Sequence, residues 1–139
     1  MRSVREITED AFDCVRAMDP PTYRRLHDTL KTCVLTVRID EEQFAIRCRM
    51  GTVEVVDDVS QPAVSVSSSI QTILQLIDGS LMLERAVLTD ALHVRGTIVA
   101  VPNALDALVI FVRGLLGSRR APGLLDELEC HDRNLRRQT

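Results

Sequence analysis

Tryptophan is missing from this 139-residue chain and tyrosine occurs once, so aromatics make up 3% of the residues although 45% are hydrophobic. An interior drawn from such a chain must be filled by Leu, Val, Ile and Ala, which offer a ligand neither stacking platforms nor indole donors. Lysine is nearly missing too, with Lys31 alone among 17 basic residues, and 20 acidic residues leave a formal net charge of −3. That balance lacks the basic field on which nucleic-acid binding rests. The four cysteines, at 14, 33, 48 and 130, form no C-x-x-C pair, which excludes a zinc knuckle and a dithiol redox motif. They are expected to act as small buried hydrophobes in a reducing compartment. Glycines stand singly, so no phosphate loop or dinucleotide turn can be written. No apolar run approaches the roughly 20 residues that span a bilayer, and MRSVREITED lacks the apolar stretch of a secretory leader. The expectation is a cytoplasmic protein of one domain, since a chain of this length buries about 70% of its unfolded surface in a single core.

Catalytic machinery is equally sparse. His27, His93 and His131 fall on unrelated segments and no His-x-x-x-His or carboxylate spacing of a metal site accompanies them. Asp40-Glu41-Glu42 and Asp57-Asp58 are paired acids, but each pair sits in a polar connection where water keeps carboxylates ordinary, and acid or base work needs a desolvated one. Ser65-Val66-Ser67-Ser68-Ser69 lacks the G-x-S-x-G frame and is accounted for by helix capping, with free N–H groups there able to receive an anionic headgroup. No catalytic residue, metal or cofactor is therefore assigned.

Patterning supplies what motifs do not. Residues 3 to 18 read as a helix with a Ser3/Glu6 capping box and an inward stripe of Val4, Ile7, Ala11, Val15 and Met18. Asp19-Pro20-Pro21 ends it, and a second helix to about Lys31 turns Tyr23, Leu26, His27 and Leu30 inward. From Cys33 the period becomes two: CVLTVRI, QFAIRCRM and TVEVV predict a meander with Leu35, Val37, Ile39, Phe44, Ile46, Cys48, Met50, Val53 and Val55 on one face and charges on the other. A fourth strand around Val64 and Val66 runs into a serine-capped helix whose Ile70, Ile73, Leu74 and Ile77 recur at helical spacing and whose stop is Gly79. Ser80 to Ala91 reads as a helical turn and loop, and Leu92 to Arg95 as the last strand. After Pro102 a long helix carries Leu105, Leu108, Val109, Phe111, Val112, Leu115 and Leu116. Beyond Arg119 the tail turns polar: LLDELE suggests a short helix and HDRNLRRQT a loose end.

The order strand, serine-capped apolar helix, Gly79 stop, short strand with Gly96 behind it and long apolar helix, from Pro62 to Leu116, resembles the sterol carrier protein 2 family. The resemblance covers roughly residues 30 to 117 and rests on pattern. It implies an α+β fold, with a five-stranded mixed, mostly antiparallel sheet and helices packed on one face around an apolar lipid tunnel. It divides the single domain into N-terminal helices (1–31), a core (32–117) and a tail (118–139). It places the tunnel wall at Leu35, Phe44, Ile46, Val53, Ile70, Ile73, Leu74, Ile77, Leu105, Leu108, Val109 and Val112.

The function so implied is non-catalytic carriage of a lipid or other bulky apolar small molecule, such as a fatty acid, acyl chain, sterol or polyketide-like compound. Two alternatives stand beside it. A dry apolar chamber can accelerate a cyclisation or isomerisation of a hydrophobic intermediate by positioning alone, without a cofactor. Or the apolar helix faces dock on a partner or on a second copy as a homodimer, leaving the interior solid.

Overall fold

The computed structural model describes residues 2–137. Helix α1 (Val4–Met18) opens on the expected capping box, with the Ser3 hydroxyl accepting from the Glu6 N–H, and α2 (Pro20–Leu30) is capped by Asp19. Strands β1 (Leu35–Ile39), β2 (Glu42–Arg49) and β3 (Thr52–Val56) form the antiparallel meander. The chain then crosses to β4 (Val64–Ser68), which lies parallel to β1 with Leu35 opposite Val64. Helix α3 (Ile70–Asp78) follows, capped by Ser69 and stopped at Gly79 in the left-handed conformation, and then the short α4 (Leu83–Leu88). Strand β5 (His93–Gly96) pairs antiparallel with β4 and completes a mixed sheet of five strands in the order β3-β2-β1-β4-β5. Helices α5 (Ala100–Leu116) and α6 (Ala121–Arg137) end the described chain.

Alternation decides which face of the sheet the helices cover. Leu35, Val37, Ile39, Phe44, Ile46 and Val64 are buried, whereas Arg38, Ser65 and Arg95 at the opposite parity are exposed. On the wet face the Thr36 hydroxyl donates to Ser65 Oγ at 3.1 Å and Arg47 pairs with Glu54 at 3.1 Å. The residues of α1 and α2 belong to the same hydrophobic cluster as the sheet, through Val4, Ile7, Phe12, Tyr23, Leu26 and Leu30. Met18, expected inward, lies at the end of α1 and is 52% exposed.

The acids expected to be solvated turn residues do structural work at helix starts. Asp40 accepts the Ile70 N–H at 3.0 Å at the head of α3, and both oxygens of Glu42 accept the Val4 N–H, at 3.0 and 2.9 Å, at the head of α1. A carboxylate on orphan N–H groups is favoured by the helix dipole. The β1–β2 turn thereby fixes two helices over the sheet.

Two parts of the helical layer differ from expectation. Helix α5 presents Ala100, Ala104, Ala107, Gly114 and Leu115 as its buried positions, rather than a stripe of large aliphatics. Small residues let it approach α2 and α1 closely: a Cβ on Gly114 would lie 2.9 Å from Thr22 Cγ2 and 3.1 Å from Val15 Cγ1. The tail, expected to be polar and loose beyond a short helix, is the 17-residue α6, with Ala121, Leu124 and Leu128 buried against α1 and α3. Its final residues Gln138 and Thr139 lie outside the described residues.

Candidate functional site

Between the helices and the apolar face of the sheet lies a cavity of about 170 Å³. The sheet contributes Leu35, Val37, Ile39, Phe44, Ile46, Val66 and Val94. Helices α1, α2, α3, α5 and α6 close over it with, among others, Ile7, Phe12, Leu26, Ile73, Leu108 and Leu128. Thr8 is the one polar residue in this wall, and its hydroxyl donates to the Val4 carbonyl at 2.8 Å, one helical turn back. That uses the Thr8 proton and leaves its oxygen as the one acceptor on a wall that otherwise offers a guest contact and exclusion of water. Val66, Ile73, Val94, Leu105, Leu108, Phe111 and Leu125 are half-buried; the wall is thinnest there.

The structure brings Leu35, Phe44, Ile46, Ile70, Ile73, Ile77, Leu105 and Leu108 together on this wall. It places Val53, Leu74, Val109 and Val112 off it. Val53 belongs to the edge strand β3, outside the strands that line the cavity, and donates its N–H to the Tyr23 hydroxyl at 2.8 Å. Leu74 is half-buried on α3, because Ile70, Ile73 and Ile77 take the inward positions. Val109 and Val112 are half-buried because α5 is turned by its small residues, which bring Ala104, Ala107, Leu108 and Phe111 to the wall instead. The wall also takes in α1, α2 and α6, outside the segment from which the site was expected. Their apolar stripes were legible in α1 and α2, although nothing in the pattern alone said which stripe borders a space.

Titratable groups stay out of the chamber. His27 lies 3.5 Å from Asp28, His93 is 3.7 Å from Asp90 and accepts from Arg95 Nε at 2.9 Å, and His131 lies 3.3 Å from Glu42. No group of three or more metal-ligating side chains occurs among the described residues. Burial pushes the Cys48 thiol up to about 11, with the neighbouring Cys33 adding to the effect, and burial likewise raises Cys14 and Cys33. Since only thiolate reacts, alkylation by iodoacetamide at pH 8 should label the exposed Cys130 first and leave Cys48 at least tenfold slower, the lag narrowing as pH rises towards 11. Peptide mass spectrometry of a labelling time course checks this.

A one-sided α+β domain with its helices roofing a hydrocarbon-lined chamber is a class in which the interior, rather than a polar cleft, is the site. The sequence profile of the SCP-2 sterol transfer family matches residues 13–102, and the chain belongs to that family of lipid-binding domains. The match begins earlier and ends earlier than the stretch on which the resemblance rested. Among solved structures, the UbiJ-SCP2 ubiquinone synthesis protein superposes with a TM-score of 0.57 at 16% identity, over 76% of this chain and 92% of that one. A crystal structure of sterol carrier protein 2 gives 0.56 at 10% identity, over 84% and 99%, and sterol carrier protein 2 like 2 from Aedes aegypti gives 0.55 at 19% identity, over 74% and 94%. At these identities the likeness is one of fold. No curated protein matches the chain in sequence. Among the described residues, no single helix is long and apolar enough to cross a membrane.

Proposed function

We propose that the chain is a non-catalytic carrier of a lipid or similar apolar small molecule, held by its hydrocarbon part in the chamber over the sheet. The observation that carries this is the wall itself: a space of about 170 Å³ whose only polar side chain, Thr8, is already bonded to its own helix. Each methylene taken from water into such a wall contributes ~0.8 kcal/mol, so about ten, counting those along the rim as well as those inside, contribute ~8 kcal/mol before the cost of association is met. A polar end finds inside no partner but the Thr8 oxygen and is better hydrated where the wall is thinnest, near Ile73, Val94 and Leu105. The absence of any free acid, base or nucleophile on the wall favours carriage over turnover.

The test is to strip the protein of bound lipid and titrate fluorescent fatty-acid and sterol probes. Saturable one-to-one binding tighter than about 100 µM, equivalent to ~5.5 kcal/mol, is expected for at least one of them. No saturation with any probe would remove the carrier assignment. Mass spectrometry of what copurifies would name the guest.

A further inference from the structure

We propose that α6 is the specificity-determining wall of the chamber, with Leu124, Leu125 and Leu128 setting how long a single hydrocarbon chain the protein accepts. The proposal rests on the carrier assignment and adds to it the class of guest, a linear chain rather than a fused-ring one.

Three observations carry it. First, the space is small. A cavity of about 150 Å³ lined by Leu, Ile and Phe holds one benzene, so about 170 Å³ holds a group of about that size, far short of four fused rings. A linear chain can insert in part and leave its remainder at the rim, so its usable length is set by whatever stands at the wall. Second, the walls differ in how they are held. Phe44 belongs to the hydrogen-bonded sheet and Leu26 to a helix locked against α5, and both are 1% exposed. Helix α6 packs chiefly on α1 and α3. Polar contacts add to this: Arg2 to Glu127, and His131 to Glu42 at 3.3 Å. The Arg2–Glu127 pair is exposed, and pairs of that kind are weak. Third, α6 supplies three of the side chains that bound the cavity, Leu124, Leu125 and Leu128.

The experiment is a series of saturated fatty acids of increasing length, competed against a fluorescent fatty-acid probe. For the wild-type protein, affinity should rise about fourfold per added methylene up to a limiting length and then level off. Leu124→Ala with Leu128→Ala should move that limit to longer acids, by about three carbons for each leucine shortened, since each substitution removes three carbon atoms from the wall. Leu125→Phe, at a half-buried position that tolerates bulk, should move it to shorter ones. Val109→Ala, off the wall, should leave it in place. Urea midpoints recorded alongside identify a variant that fails to fold, and Leu125→Phe then decides alone. Binding that weakens equally at all lengths with the limit unmoved overturns the assignment to α6. No saturable binding by the wild-type protein at any length overturns instead the carrier assignment on which it rests.

Discussion

Phe44→Ala should lower the free energy of unfolding by about 3–5 kcal/mol, read as a fall in the urea midpoint with an unchanged slope. Phe44 is the largest side chain among the described residues that is essentially sealed from water, at 1% exposure, and it sits opposite Val37 where β2 pairs with β1. Its ring lines the chamber on the side of the sheet. Truncation removes that contact, and the helices cannot follow the lost volume inward because Asp40 and Glu42 hold the heads of α3 and α1 to the β1–β2 turn. The void adds to the loss of transfer energy. A total stability of 5–15 kcal/mol is usual for a domain, so the variant should retain a fold but a marginal one. A fatty acid long enough to reach the new space should return part of the midpoint, since a ligand that binds only the folded state stabilises by mass action. Phe111→Ala is the comparison. Phe111 stacks on Phe12 at 4.4 Å between centroids but is half-buried, and its loss should cost less.

Leu108→Asp should weaken binding of a fatty-acid probe at least a hundredfold while the protein stays folded. Leu108 borders the chamber at a half-buried position, so in the empty protein a carboxylate there can turn towards water. A guest would have to strip that water away, and nothing on the wall replaces it. Desolvating a charge without a partner costs several kcal/mol, and ~2.7 kcal/mol already amounts to a factor of 100. Val109→Asp adds the same charge one residue along the helix, off the wall, and should leave affinity within about threefold. Equal losses for both variants, at equal midpoints, would show that α5 responds to charge in general rather than through the chamber. Probe titration and urea melts of the two proteins make the comparison.

The sheet was legible because its code is local. Leu35, Val37 and Ile39 alternate with Thr36 and Arg38, and the parity read from the sequence is the parity found. The cap of α1 was equally readable, since Ser3 and Glu6 act within one turn, and for α3 the sequence offered Ser67, Ser68 and Ser69, of which Ser69 is the cap. What failed were features set by distant partners. On α5 the large aliphatics attracted attention, whereas Ala100, Ala104, Ala107 and Gly114, at intervals of four, three and seven, set the approach to α2 and so the rotation of the helix. Small size is a signal only when a neighbour comes close enough to need it. On α6 the stripe runs Ala121, Leu124, Leu128, His131, Leu135 at regular helical spacing, but the fourth place holds a histidine, half-buried by its contact with Glu42 of β2. A polar residue in an apolar stripe hid the period and with it the last wall of the site. Asp40 and Glu42 misled in the same manner: read as solvated turn acids, they find their partners, Ile70 and Val4, 30 and 38 residues away.

The parallel pairing of β1 with β4 governs how quickly this polypeptide reaches its native state. The β1–β2–β3 meander can zip from neighbouring turns, yet Leu35 meets Val64 only after a loop of the intervening chain has closed, and entropy is lost before that contact gives anything back. Until it closes, β1 presents a bare edge and the greasy side of the young meander has no roof. Lengthening the connection between β3 and β4 should therefore slow refolding more than unfolding, a difference that stopped-flow traces would record.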